Sequence, residues 1–102
     1  MAKPLVVTIP HSLGKQEALR RLKSGMPRVL GGIPVMKVEE ETWTDDRLSF
    51  KVSALGQAAS GTVDVGEDNV RLEVVLPLLL QRFAQLVQRG MSEGTQRLLE
   101  KK

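Results

Sequence analysis

Residues 47–76, RLSFKVSALGQAASGTVDVGEDNVRLEVVL, decide the fold of this 102-residue chain. Apolar and polar side chains alternate in three runs, and a period of two is typical of strands with one buried face. Turn-forming residues separate the runs, LGQ at 55–57 and GEDN at 66–69. Half-buried strands joined by short turns predict a three-stranded antiparallel meander whose apolar face needs a cover.

The residues before the meander supply part of this cover. Residues 5–9, LVVTI, predict a strand at a sheet edge because prolines flank it. Residues 15–26 predict an amphipathic helix, with Ser12 as a candidate cap and Pro27 as the residue that stops or redirects it. Residues 29–34 predict a loop. Residues 35–43 predict another strand, joined to the meander by a hairpin loop at 43–47.

A second helix is predicted after the meander, where Pro77 occupies the favoured first helical position. Its apolar stripe comprises Leu80, Phe83, Ala84, Val87, Met91 and Leu98, widened by Leu79 and Leu86. Gly90 and Gly94 leave two explanations open, a close approach of the helix backbone to the sheet or a break near Gly90. Residues 101–102 predict a frayed tail.

These elements give the order β-α-β-β-β-β-α. The sequence therefore predicts one α+β domain over residues 1–102, an antiparallel sheet with two amphipathic helices packed on one face.

Composition excludes several classes of protein. The chain has no cysteine, which rules out disulfides and thiolate metal sites. No apolar run approaches the roughly 18 residues of a membrane helix, and no apolar segment typical of a secretory signal precedes Pro10. We expect a cytoplasmic protein without a membrane span.

Charge is unevenly distributed along the chain. Residues 1–37 carry +6, residues 38–76 carry −6 and residues 77–102 carry +3. The predicted sheet is thus acidic and the helices are basic. Two explanations stay open, electrostatic complementarity within the fold or a basic helical surface offered to an anionic partner.

No motif points to catalysis. His11 is the only histidine and has no recognisable nucleophile motif beside it, so we interpret it as a loop residue or local hydrogen-bonder. The carboxylates at 39–41, 45 and 46 lack the spacing of a calcium loop, and no phosphate-binding glycine motif exists. We expect no enzyme activity, catalytic residue, cofactor or metal.

Candidate contact residues lie on both helices. Arg20, Arg21 and Lys23, with Lys15, could contact phosphates, but the chain offers only three aromatic residues for stacking on bases. The composition therefore argues against nucleic acid. Leu78, Val75 and Leu99 fall off the predicted buried faces and are candidates for an exposed contact patch or a homodimer interface.

The segments VTIPHSLGKQEALRRL, WTDDRLSFKVSALGQAASGTVDV and NVRLEVVLPLLL together resemble the small bacterial proteins of the polyhydroxyalkanoic acid system, or granule-region, family. The resemblance spans nearly the whole chain. It implies a protein found alongside the genes for polyhydroxyalkanoate synthesis and storage. The implied partner is the polymer granule or a granule protein, and no catalytic residues are implied. Leu78 departs from the family pattern, in which an aromatic often follows the Leu-Pro pair.

Residues and resemblance together predict a non-catalytic accessory or binding protein of polyhydroxyalkanoate metabolism, located in the cytoplasm and at storage granules. Its candidate partner-binding surface comprises Arg20, Arg21, Lys23 and Leu78. The alternatives are a small RNA- or ribosome-associated protein that uses the basic helix, and a carrier of a small apolar ligand held between helices and sheet.

Overall fold

The predicted meander forms the centre of a five-stranded antiparallel sheet. The computed structural model describes residues 4–33 and 36–100. The strands are β1 (Pro4–Pro10), β2 (Lys37–Thr44), β3 (Arg47–Ala54), β4 (Gln57–Val65) and β5 (Asn69–Val75). Their order across the sheet is β1-β5-β4-β3-β2, so the predicted edge position of β1 is confirmed. Val35, the predicted start of β2, and the predicted frayed tail lie outside the described residues.

Two helices cover one face of the sheet, as predicted. On this face Leu48 lies opposite Val63, and Val63 lies opposite Leu72. All three side chains are fully buried, and burying one such side chain stabilises a fold by about 1.5–3 kcal/mol. Along β3 the covered side chains run Leu48, Phe50, Val52 and Ala54, so they are smallest at the β3–β4 turn.

The first helix, α1 (Lys15–Gly31), is longer than predicted because it continues through Pro27. Proline removes one helical hydrogen bond and crowds the carbonyl four residues earlier. Met26 and Leu30 are buried on either side of it, and their packing holds the helix together across the proline. The predicted end at Met26 and the loop from residue 29 are therefore wrong. Ser12 is not the cap, since Gly14 occupies that position without a side-chain hydrogen bond.

The second helical segment begins as a 3₁₀ helix (Leu78–Phe83) and continues as α2 (Ala84–Leu99). The chain is helical through Gly90, so the suggested break does not occur. The 3₁₀ geometry has three residues per turn, which rotates the side chains relative to an α-helical projection. As a result Leu80 is buried and Leu79 is exposed. Leu86, which lies in α2, is also exposed, so neither leucine widens the apolar stripe. Leu99, predicted to lie off the buried face, is buried.

Glycines set the distance between α1 and α2. A side-chain carbon at Gly94 would lie 2.8 Å from Cγ1 of Val29, and one at Gly90 would lie 2.8 Å from Cγ1 of Ile33. Glycine is therefore required for close approach of the two helices. Of the two explanations for these glycines, close approach holds, but not to the sheet. The neighbour of Gly94 is Val29 of α1, and that of Gly90 is Ile33, just after α1.

Prolines limit the exposed edge of β1. The backbone N–H of His11 donates to the carbonyl of Asp68 at 2.9 Å, which continues the β1–β5 ladder. Alternation along a strand then directs the amide groups of residues 5, 7 and 9 toward β5, and those of 4, 6, 8 and 10 outward. Pro4 and Pro10 occupy two of the four outward positions, so this edge offers only the N–H groups of Val6 and Thr8 to another strand.

Candidate functional site: an apolar end of the sheet

Three exposed leucines lie at one end of the sheet. Ala54 pairs with Gln57 across the β3–β4 turn, and Ser60 pairs with Val75 near the end of β5. The turn containing Leu55 and the chain leaving β5 toward Leu78 are therefore at the same end. Leu55, Leu78 and Leu79 are 67%, 73% and 67% exposed. We call these three residues the apolar end.

Local hydrogen bonds fix the direction of the leucines at 78 and 79. The amide of Leu80 donates to the carbonyl of Pro77 at 2.8 Å, and the Gln81 side-chain amide donates to the carbonyl of Leu76 at 2.7 Å. These bonds begin the tight 3₁₀ helix directly after the sheet. Leu80 then points into the core, and the two leucines before it face solvent.

Leu55 occupies an unfavourable backbone conformation. It has a φ of 52°, and the next residue, Gly56, has a φ of 79°. Two consecutive positive φ values form the two-residue hairpin turn in which Asn-Gly is the preferred sequence. A leucine in the left-handed region lowers the stability of the fold by on the order of 1 kcal/mol or more. Because the side chain is exposed to water, burial does not offset this loss. Neither the backbone nor the core of the fold explains a leucine at this position.

A small apolar cleft lies beneath the apolar end. It is lined by Met36, Val52, Ala54, Ala59, Leu76, Leu80, Phe83 and Val87, and its volume is about 10 Å³. This space accommodates about one water molecule. Pockets for small organic ligands measure about 300–1,000 Å³. The cleft therefore gives no support to the interpretation as a ligand carrier.

The basic residues predicted as a contact surface interact within the fold. Arg20 and Arg21 both bond the Glu17 carboxylate, at 2.5 and 2.8 Å. The hydrogen bonds from these two guanidinium groups lower the pKa of Glu17 to about 2. Lys23 lies over the Trp43 ring with its Nζ atom 5.7 Å from the ring centre.

Arg21 also joins the two helices. Its Nη1 donates to the carbonyl of Leu98 at 3.3 Å and to that of Glu100 at 2.5 Å. A cation at the last carbonyls of a helix is stabilising there. Because the 16 residues of α2 separate this contact from the 3₁₀ helix, Leu78 lies more than about 24 Å along the helix axis from it. The structure does not bring Leu78 together with Arg21.

The uncovered face of the sheet carries balanced charge. Arg47 pairs with Asp64 at 2.6 Å, and Lys51 lies 3.8 Å from Glu40. Exposed pairs of this kind contribute about 0–1 kcal/mol each. Lys15 at the start of α1 pairs with Asp46 in the β2–β3 turn at 2.7 Å, which joins the basic helix to the acidic part of the chain. Complementarity within the fold thus accounts for part of the charge segregation.

The remaining titratable candidates have local roles. His11 Nε2 lies 3.1 Å from the carbonyl of Gly66, and its Nδ1 accepts from the amide of Leu13 at 3.2 Å. Both ring nitrogens are engaged, which confirms His11 as a local hydrogen-bonder. Burial raises the pKa of Glu41. Across residues 4–33 and 36–100, no group of three or more potential metal ligands is found.

Fold and site define a class: a small α+β protein with a closed core and an exposed apolar end. Within the part of the chain that the structure describes, no helix is long and apolar enough to cross a membrane.

Comparison with known proteins places the chain in a family. The model of the family described as "Putative polyhydroxyalkanoic acid system protein" matches residues 5–99. The chain therefore belongs to the polyhydroxyalkanoic acid system family, and the resemblance inferred from sequence is confirmed. A search of the curated proteins finds no significant match.

Among solved structures, the chain is similar to truncated norcoclaurine synthase from Thalictrum flavum. The two share 11% sequence identity with a TM-score of 0.48, over 100% of this chain and 96% of the other. A likeness of this size supports no conclusion about function.

Proposed function

We propose that this protein is a non-catalytic accessory protein of polyhydroxyalkanoate metabolism that associates with the storage-polymer granule through its apolar end. The observation that carries the proposal is the exposure of Leu55, Leu78 and Leu79 together at one end of the fold. Membership of the polyhydroxyalkanoic acid system family supports an apolar polyester as the partner. Leu78 is the one residue of the sequence-derived surface that this proposal retains.

The size of the apolar end predicts reversible binding. Full burial of an exposed leucine contributes about 1.5–3 kcal/mol, and each of these three is about two thirds exposed. Their transfer to an apolar surface therefore supplies roughly 3–6 kcal/mol before the cost of immobilising the protein. A contribution of this size resembles that of a single lipid chain, which also binds reversibly.

The conformation of Leu55 supports a role outside folding. Its turn would be more stable with asparagine at this position, and its side chain is 67% exposed. A residue with a strained backbone and an apolar side chain exposed to water is typical of a contact site. Since Leu55 and Leu78 come from separate elements, the fold is needed to assemble the surface.

Fractionation of polymer-accumulating cells on a density gradient tests the proposal. The wild-type protein is expected in the granule band, and its recovery there should survive RNase and moderate salt. Replacing Leu78 and Leu79 by glutamine should move the protein to the soluble fractions. The control replaces Val6 by threonine, since it is also an exposed apolar residue but lies on the uncovered sheet face.

Recovery of the Leu78→Gln, Leu79→Gln protein in the granule band would contradict the proposed surface. Binding to native granules but not to protein-stripped polymer would identify a granule protein as the partner. Replacing Arg20 and Lys23 by glutamine tests the other part of the sequence-derived surface, and we expect no change in recovery. Loss of recovery with that variant or with RNase would favour the basic helix and a nucleic-acid partner.

A further inference from the structure

Arginines follow the apolar end along the outer side of the second helical segment. Arg82, Arg89 and Arg97 are all exposed. Among the described residues, none of the three forms an ion pair. Most basic side chains of α1 and the sheet, by contrast, have an acidic partner.

Leucines and arginines alternate along this side of the segment. The residues Leu79, Arg82, Leu86 and Arg89 are spaced by three, four and three positions. Helical residues three and four positions apart lie on one face. Leu86 is 38% exposed, so apolar surface continues from the apolar end between the two arginines.

Arg82 has the geometry of a side chain at an interface between apolar and polar phases. Its Cζ atom lies 5.6 Å from the centre of the Phe83 ring. Arginine can cover apolar surface with its stem while its charged group stays in a polar layer. The ring of Phe83 lines the apolar cleft, and Arg82 belongs to the same 3₁₀ helix as Leu78 and Leu79.

Residues 78–89 of the segment contain no acidic residue, and the first one on the same face is Glu93, four positions after Arg89. Glu39 and Glu40 lie on β2, which forms the opposite edge of the sheet from β1. The helix α2 packs over β1 rather than β2. Residues 78–89 therefore carry uncompensated positive charge, which would orient this part of the protein toward an anionic surface.

We propose that the arginines at 82 and 89 bind anionic phospholipid headgroups while Leu78, Leu79 and Leu86 enter the apolar layer beneath. This inference rests on the proposed function and specifies the chemistry of the surface that the apolar end contacts. Exposed leucines next to arginines that have no acidic partner match a layer with an anionic exterior and an apolar interior. A nucleic acid would use the arginines but has no layer for the leucines.

Vesicle sedimentation tests the inference with the full chain. Vesicles of phosphatidylcholine alone are compared with vesicles containing phosphatidylglycerol, at low and high salt. Each arginine near an anionic surface contributes about fivefold to binding, so replacing Arg82 and Arg89 by glutamine should weaken binding about 25-fold. The control with Arg20 and Lys23 replaced removes the same charge and should lose little.

Equal binding to both kinds of vesicle, or no binding to either, would overturn the inference. So would an equal loss in the Arg20→Gln, Lys23→Gln control, or stronger binding to single-stranded RNA than to the anionic vesicles. The proposed function is judged separately by binding to protein-stripped polymer. If the protein binds the polymer without lipid selectivity, the lipid inference fails and the proposed granule association is retained. If it binds lipid but is not recovered with granules, the proposed granule association is wrong.

Discussion

The close contact between α1 and α2 at Gly94 predicts that replacing this glycine by alanine destabilises the fold. An alanine there places Cβ 2.8 Å from Cγ1 and 3.1 Å from Cγ2 of Val29. Valine has one strongly preferred rotamer in a helix, so it cannot rotate away without strain. The two helix backbones must separate instead, and overpacking of this kind costs about 1–3 kcal/mol.

The helix preference of alanine acts in the opposite direction. Alanine is favoured over glycine inside a helix by about 1 kcal/mol. We therefore expect Gly94→Ala to lower the free energy of unfolding by roughly 0–2 kcal/mol, or the Tm by up to about 10 °C. Gly31→Ala is the matched control, since no atom lies within 4 Å of its added carbon. This control should stabilise by up to about 1 kcal/mol.

Denaturant unfolding followed by circular dichroism measures both variants. Adding Val29→Ala to Gly94→Ala should recover part of the loss, because it removes the two methyl groups that the new carbon meets. A coupling free energy of about 0.5–3 kcal/mol between the two sites is expected for residues in contact. A Gly94→Ala protein that is as stabilised as the Gly31→Ala control would refute the close approach of the helices.

Three further changes test local features of the structure. Leu55→Asn should raise the free energy of unfolding by about 1 kcal/mol, because asparagine suits the left-handed turn position. The same change should weaken recovery of the protein with granules. A loss of stability would contradict the backbone strain at Leu55. Burial raises the pKa of Glu41, so its contribution to stability is greatest below the unfolded pKa and is lost as pH rises through the folded pKa. Glu41→Gln should therefore be more stable than wild type at pH 7, as measured by urea unfolding, and an equal or lower stability would oppose this reasoning. The pKa of Glu17 is lowered to about 2, so its contribution is present above the unfolded pKa and is lost as pH falls through about 2. Glu17→Gln should flatten the acid limb of a Tm-against-pH curve, and an unchanged limb would speak against the pairing with Arg20 and Arg21.

The sheet was predictable because its pattern is local. Residues 47–76 combine strict alternation with two turns, and the register pairs Leu48 with Val63 as that alternation requires. The length of α1 was not predictable in this way. Proline normally ends a helix, and only tertiary burial of Met26 and Leu30 on either side of Pro27 overrides this preference.

The apolar end was only partly predictable, because only one of its three leucines has a local sequence signal that places it outside the core. Leu78 stands out in sequence because it directly follows Pro77 and falls off the helical stripe. The helical projection places Leu79 on the buried side. It misses the 3₁₀ start that turns Leu79 outward, because that start depends on the hydrogen bond from the Gln81 side chain to the carbonyl of Leu76. At Leu55 the sequence pattern indicates only a turn. A leucine before Gly56, where asparagine is preferred, is the signal that could have found it.

Side-chain size along the sheet links fold and site. The covered face ends in Ala54 and Ala59 near the β3–β4 turn, and both line the apolar cleft. Small residues leave a shallow hollow that Leu80 and Phe83 fill from above. The 3₁₀ helix therefore uses Leu80 to close the core and presents the two preceding leucines to solvent.

A single fluorescent label tests granule contact by the apolar end most directly. The chain has no cysteine, so Leu78→Cys and Ser49→Cys each provide one site for an environment-sensitive dye. Position 78 lies in the apolar end and position 49 on the uncovered sheet face. On protein-stripped polymer particles, we predict a blue shift and brighter emission from the dye at position 78 and no change at position 49. Sedimentation with the particles without a spectral change at position 78, or with an equal change at position 49, would contradict contact through the apolar end.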